Sequence, residues 1–447
     1  MKLLISTLTL LLSTKDAAAK VINWNDYDAF PQQVLKPHNV EPPHLVQNFQ
    51  KRGQSTMGRI TCANENFILS SSNDLKSIEH CHEIVGDLIV TSTFDSPVLD
   101  LYNLQTLKGN FVIEDCQSLI RLSAPQLENV QGDFTLSSLT SLVTVELPTI
   151  SHVNSLTWKV LPILSQADLP KDIIVDKNII ISDTSLSNIN DFQSIKDVEI
   201  FNVNNNRFLE TIKTNVETVR GQLSIHANSR ELELEMPYLQ NAENLTVRDT
   251  RSVWLPNLQR VNTNMEFIEN LFADLDLSSL KFVGGTLGII DNSNLHNLDF
   301  NNVTEVQGGL MVTNNINMEK IDCFKSLKLV GGAIYFEGTF TDTDFPYLRL
   351  VKGSAFVKTT SNDMNCNKWV RPQNGRSIVR GGKIQCTASK KQNSISLDEN
   401  GSVTETSERD ISIPKVVLSN YASKLTYRNW VATGLSLVAV ALLHNFV

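Results

Sequence analysis

Apolar and polar positions along this chain recur in one short phrase. Val283, Gly284, Gly285, Thr286, Leu287, Gly288 and Ile289 are answered by Val306, Gln307, Gly308, Gly309, Leu310, Met311 and Val312, then by residues 330 to 336 and 351 to 357. The starts lie 23, 24 and 21 residues apart, a period that marks a chain built from stacked coils. The end of each phrase alternates apolar with non-committal residues, which predicts a half-buried strand of about four or five residues and leaves no room for a useful helix. Upstream, Leu277 and Leu280, Phe300 and Val303, Phe324 and Leu327, and Phe345 and Leu348 stand six and three residues before the repeat valine. One coil cannot bury its own apolar face, so its neighbours must cover it. Leu277, Phe300, Phe324 and Phe345 are therefore predicted to form one internal column. The glycine two places after the valine is predicted to sit in a tight turn, at φ values that a Cβ resists.

The phrase is also legible at residues 85 to 90, 107 to 113 and 130 to 136, with Gly86, Gly109 and Gly132 evenly spaced. It blurs at 153 to 158 and nearly vanishes from 159 to 175, a stretch flanked and interrupted by Pro148, Pro162 and Pro170. Proline cannot donate to an interior ladder, so a bulging loop or a seam between two lobes is predicted there. Strands resume at 178 to 181, 197 to 201, 221 to 225, 244 to 247 and 263 to 267. The fold class is all-β: a parallel β-helix or solenoid of about a dozen coils, each 19 to 24 residues long, about 55 to 60 Å from end to end at the spacing of neighbouring strands. The expected organisation is a first lobe over residues 59–160, a seam over 161–177 and a second lobe over 178–388.

The flanks read differently. Met1 and Lys2 precede an apolar run from 3 to 12 and then Ala17, Ala18 and Ala19, so residues 1–19 are predicted to be a secretory signal. Residues 20–58 carry no repeat and contain Pro31, Pro37, Pro42 and Pro43, as an irregular arm would. Residues 389–420 are rich in Ser, Asn, Glu and Thr and predict a flexible stalk. Small residues at Ser419, Asn420 and Ala422, a polar spacer and an apolar tail from 430 to 447 make the pattern of a GPI signal, with 421–447 removed and Asn420 the attachment residue. An exported chain places its cysteines in an oxidising compartment. Cys62 with Cys81, and Cys366 with Cys386, bracket the two ends of the repeat and are expected to be disulfide caps. Cys116 and Cys323 lie about 40 Å apart in a continuous stack, too far to bridge, and are expected to be buried free thiols unless the two lobes fold back on each other.

Charge narrows the partners. With 39 basic and 48 acidic residues the net charge is −9, and no basic cluster tracks phosphates, so nucleic acid is excluded as a partner. Asn244, Asn302 and Asn400 head N-glycosylation sequons. Chemistry is sparse: there is no nucleophile-elbow motif, no phosphate loop and no paired histidines at metal spacing, and no cofactor is expected. His80, His82 and Glu83 beside Cys81 invite a metal site, but a disulfide consumes the thiol. Asp115, Asp183, Asp249 and Asp291 are the candidate carboxylates of a glycan-cleaving β-helix enzyme. Each follows its strand by a residue or two, where Asp makes turns, and they are spread over separate coils, whereas a glycosidase pair needs carboxyls within about 5 to 10 Å. Catalytic residues are thus expected to be none. Trp158 and Trp254 are candidates for stacking on sugar rings, with core or edge packing as the alternative.

Residues 178 to 184 and 197 to 208 carry a resemblance, above all in the run Phe201, Asn202, Val203, Asn204, Asn205, Asn206, Arg207, Phe208. With the Val-Gly-Gly coils and residues 361 to 366 they resemble the fungal GPI-anchored cell-wall organisation family that contains receptor L-domain-like repeats. The resemblance covers about residues 60 to 390. It implies a right-handed, leucine-rich-repeat-like solenoid displayed at the plasma membrane or wall and supporting wall assembly without known catalysis. The Pro-bearing arm and short stalk look more like the sporulation-specific members, associated with the β-glucan layer of the spore wall. The implied partners are wall polysaccharide such as β-glucan, or wall proteins, and the membrane through a GPI lipid. The rival readings are a glycan-modifying enzyme on a β-helix scaffold and a ligand-binding receptor ectodomain.

Overall fold

The computed structural model describes residues 62–190, 192–370 and 377–410. The predicted secretory signal, the expected arm over residues 20–58 and the tail bearing Asn420 lie outside the described residues. The chain divides into two units, residues 1–408 and 409–447, and the described coils belong to the first. From Ala63–Leu69 and Glu83–Val90 onwards, successive strands pair in parallel with the next coil, down to Ala355–Thr359 against Lys383–Ala388. The main sheet counts 23 strands because later rungs are split, as in Phe282–Val283 and Leu287–Ile290 around the Gly284-Gly285 pair. Short strands on the opposite face form their own ladders, beginning with Val98–Asp100, Arg121–Ser123, Thr144–Glu146 and Gln166–Asp168.

The pairing register puts like with like, which is what the repeat requires. Leu287 faces Leu310, which faces Ile334, which faces Ala355, while Ile289, Val312, Phe336 and Val357 line up two places on. These side chains are buried, as are Val283, Val306, Val330 and Val351. Each of them except Ala355 contributes about 1.5–3 kcal/mol of transfer free energy. The predicted column is present: Phe300 stacks on Phe324 at 5.5 Å and Phe324 on Phe345 at 5.9 Å between ring centroids. Leu277 is buried in the same core, and Phe345 packs against it half-buried.

The repeat glycines are required for a different reason from the predicted one. Among them only Gly86 has a positive φ, of 125°. At Gly308 a Cβ would lie 2.5 Å from the carbonyl carbon of Gly285 in the coil before, and at Gly353 one would lie 2.8 Å from the backbone of Gly332 and Ala333. The constraint is close approach between stacked backbones, so glycine recurs where one coil turn nests on the next.

Two boundaries also change. Residues 161–177 are not a break in the main sheet, because His152–Leu161 and Ile174–Thr184 pair directly, with one irregularity between Val175 and Asn178. The interruption is confined to the opposite face, where the ladder ending at Gln166–Asp168 gives way to a separate one beginning at Asn188–Ile189. Nor is the described part of the expected stalk irregular: Lys391–Leu397 runs antiparallel to Lys383–Ala388, and Val403–Asp410 follows as a further strand. Reversing direction satisfies the last parallel strand without another coil and blunts the open edge.

Disulfides close both ends. Cys62 is bonded to Cys81 and Cys366 to Cys386, with Cα atoms 5.9 and 5.6 Å apart. Each closes a loop of about 20 residues, a constraint worth about 3 kcal/mol in the chain-entropy account. At the second cap Trp369 is buried, its indole N–H donates to Thr343 Oγ1 at 2.9 Å, and its ring meets Phe336 and Phe345 edge-on.

Candidate functional site

The four aspartates weighed as catalytic are corner residues. Asp115, Asp183, Asp249 and Asp291 have φ of 54°, 55°, 57° and 57°, as does Asn314 at 54°. Each ends a strand in the left-handed region, which Asp and Asn tolerate better than most residues. Ser138, Val160, Asn205, Ala227 and Glu269 take the same place in their coils. One backbone conformation is therefore met by several chemistries, which marks these positions as structural.

The residue after each corner points inward and builds a buried column. Thr184, Asn206, Asn228, Thr250, Asn270, Asn292 and Asn315 occupy it, all buried. The backbone N–H of Asn270 donates to Asn292 Oδ1 at 2.9 Å, and that of Asn292 donates to Asn315 Oδ1 at 3.0 Å. Each side-chain amide donates in turn to the strand of the coil before: Asn206 to Ile181 O, Asn228 to Val203 O, Asn270 to Val247 O, Asn292 to Phe267 O and Asn315 to Ile289 O. An amide carries both donors and an acceptor, so one residue type satisfies the corner's N–H and carbonyl groups together. The ladder was readable as asparagines recurring at the coil period, a signal overshadowed by the valine-glycine phrase. Cys116 occupies the same column three coils earlier, beside Leu139 and Leu161, which accounts for a free and fully buried thiol. Cys323 is likewise free and buried, and desolvation pushes its thiol well above the ordinary range.

The outer face of the main sheet holds a polar patch that the sequence did not single out. Ser224, Thr246 and Glu266 are neighbours in adjacent rungs, and Ser224 Oγ lies 3.1 Å from His226 Nδ1. Arg248 extends from the next rung to Glu269. Burial lowers the His226 pKa, assisted by Arg248 and opposed by Asp249, while burial raises that of Glu266 against the pull of Arg248. The Ser–His contact joins i and i+2 on one strand face, and among the described residues no third group is seen hydrogen-bonded to the imidazole, as a nucleophile's base requires. A raised carboxyl pKa means that the folded state is relatively favoured while Glu266 is protonated and loses that advantage as pH rises through the folded pKa. Glu266→Gln is therefore expected to raise the melting temperature at about pH 7 and to give no gain at about pH 4, below the ordinary carboxyl range. Thermal melts at the two pH values check this; an equal gain at both would show that charge is not the cause.

The remaining expected positions fall as follows. Asn302 and Asn400 are exposed, Asn302 with its amide donating to Ser278 O at 2.8 Å and Asn400 on the turn between the last two strands. Asn244 is not at an exposed corner: it lies within the strand Asn241–Arg248, half-buried, with Oδ1 enclosed and without a hydrogen-bond partner. His80 Nε2 lies 3.7 and 3.8 Å from the sulfurs of Cys62 and Cys81, but those sulfurs are bonded to each other, so the cluster is a cap. Trp254 is 53% exposed on the face opposite the main sheet, whereas Trp158 is fully buried and cannot stack on an external sugar.

The fold defines the class: a parallel β-solenoid with an internal asparagine ladder and disulfide-closed ends. Similarity to known proteins gives that class a family. Sporulation-specific protein 22 of Saccharomyces cerevisiae is 45% identical over 409 residues, 87% of this chain and 88% of that protein. Sporulation-specific protein 2 of the same yeast is 43% identical over 77% of this chain and 68% of its own. Cell wall mannoprotein PST1, also from that yeast, is 31% identical over 73% and 72%. The chain belongs to this fungal cell-wall protein family, which includes the sporulation-specific proteins. No protein-family model matches the chain, and no solved structure does.

Proposed function

We propose that this cell-wall and cell-surface protein is a non-catalytic, GPI-anchored glycoprotein that organises wall assembly, in particular the β-glucan layer of the spore wall. The observation that carries the reading is the match to two sporulation-specific proteins across most of the repeat. The fold supports a scaffold: stacked coils offer flat faces that suit an extended polymer or several partners, and the aspartates most open to a catalytic reading are spent on backbone corners. The mature chain runs from about residue 20 to Asn420, carries its lipid on Asn420, and bears glycans at Asn302 and Asn400. Wall polysaccharide or wall proteins are its partners. Deleting the chain in its own organism should leave vegetative growth intact and yield spores with a disordered glucan layer, read by electron microscopy and by loss of resistance to glucanase. Normal spores together with a vegetative wall defect would move the role out of sporulation.

A further inference from the structure

Met311 and Thr313 alternate along their strand with the inward Leu310 and Val312, so they point away from the core, and Met311 is no part of the packed interior. Yet they are only 9% and 6% exposed. Val112 stands in the same outward column of an earlier rung, between Ile89 and Thr135, and stays part-exposed although it is the shorter side chain. Met311 has Gly288 on one side, which supplies no side chain to shield it, and Tyr335 on the other, whose hydroxyl donates to Glu337 along its own strand. The elements packed on the strand Leu310–Thr313 are Leu287–Ile290 and Ile334–Gly338, which flank it in the plane of the sheet. Glu266, two rungs earlier in the column, is desolvated enough for its pKa to rise.

We infer that the arm over residues 20–58 lies across the outer face of these rungs and covers Ile290, Met311 and Thr313. The burial belongs to a single chain, so neither a second copy nor an outside partner produces it. Of the chain beyond the described residues, the tail past residue 410 belongs to the other unit. Residues 371–376 are tied to the last coils at both ends, by Trp369 against Phe336 and by the Ser377 N–H donating to Gly401 O. The arm has the reach. Met311 stands on the twelfth rung of the main sheet counted from Ala63–Leu69, about 50 Å along the stack, and the 42 residues from 20 to 61 extend to about 140 Å. Its composition fits an apolar strip. Trp24, Tyr27 and Phe30 recur every third residue ahead of Pro31, and the extended helix that proline favours turns once in three residues, which sets such rings on one side. Ile268, Ile290 and Met311 give those rings an apolar bed, and a methionine adapts to the shape of what it meets.

Methionine oxidation by hydrogen peroxide, mapped by peptide mass spectrometry, tests this on the full mature chain and on the same chain lacking residues 20–58. Met311 should be oxidised at least about fivefold faster without the arm, because thioether oxidation follows exposure. Met236 and Met265, fully buried in the core, should keep their rates in both. An unchanged Met311 rate with both core methionines still protected would show that its sheet neighbours shield it, and would overturn the assignment. If the core methionines react as well, the shortened chain has unfolded, and a second measurement on the intact chain decides. There p-benzoylphenylalanine in place of Met311 is photolysed in a mixture of nitrogen-15-labelled and unlabelled protein. The expected adduct joins residue 311 to a peptide from 20–58 of the same chain. An adduct to another copy, an adduct to 371–376 or to the tail past 410, or none at all would overturn the assignment.

Discussion

Replacing Asn292 by alanine is expected to destabilise the protein by about 3–5 kcal/mol, the range for breaking a buried hydrogen-bond network. Its side chain accepts from the backbone N–H and side-chain amide of Asn270 and donates to Phe267 O and Asn315 Oδ1, linking successive coils at a fully buried position. Alanine leaves the Asn270 N–H without its acceptor and withdraws a donor from Phe267 O. Aspartate does not rescue the site, because it lacks the amide donor. Asn294, two residues on and exposed, is the control: its alanine variant should stay within about 0.5 kcal/mol of the parent. Thermal and urea melts of the three variants measure the difference. A loss at Asn292 no greater than at Asn294 would mean that the asparagine column fills space and does not hold coils together.

The second large effect is on function and does not touch the coils. Removing residues 431–447 is expected to release the protein into the medium and to reproduce the wall defect of a full deletion, since the proposed lipid on Asn420 depends on that apolar tail. Fractionation into membrane, wall and medium reads the first outcome, and spore-wall integrity reads the second. Asp249→Ala and Asp291→Ala, by contrast, should keep function, at a cost of about 1–2 kcal/mol each for holding an alanine in the left-handed region. Full complementation by the released form would remove anchoring from the mechanism. Loss of function by either folded aspartate variant would favour an enzyme.

The energetic logic of the patch at Ser224, His226 and Glu266 differs from that of the asparagine column. The asparagines are satisfied and buried, so they specify register, as fully paired buried polar networks do. The patch is half-buried with shifted acid–base behaviour. It lies on the outer face of the main sheet.

The coil period, the inward columns and both capping disulfides could be read from the chain alone. Leu277, Phe300, Phe324 and Phe345, or Cys62 and Cys81, show their relation as spacing along one chain, and stacking coils turns equal spacing into contact. The left-handed corners at Asp183 and Asp291 were legible too, as turn residues just past their strands. Tertiary structure alone decided what depends on the distance between coils. Glycine at 308 answers a neighbouring backbone 2.5 Å from where its Cβ would lie, and no local preference encodes that approach. The break near residue 170 falls on one face only because main-sheet pairing continues through it while the short opposite strands lose register. Trp158 reads as an aromatic of open fate until the column behind it is built; the stack then buries its ring. A solenoid writes its period into the sequence because every coil repeats the same burial, whereas a departure confined to one coil acquires meaning only from the two coils packed against it.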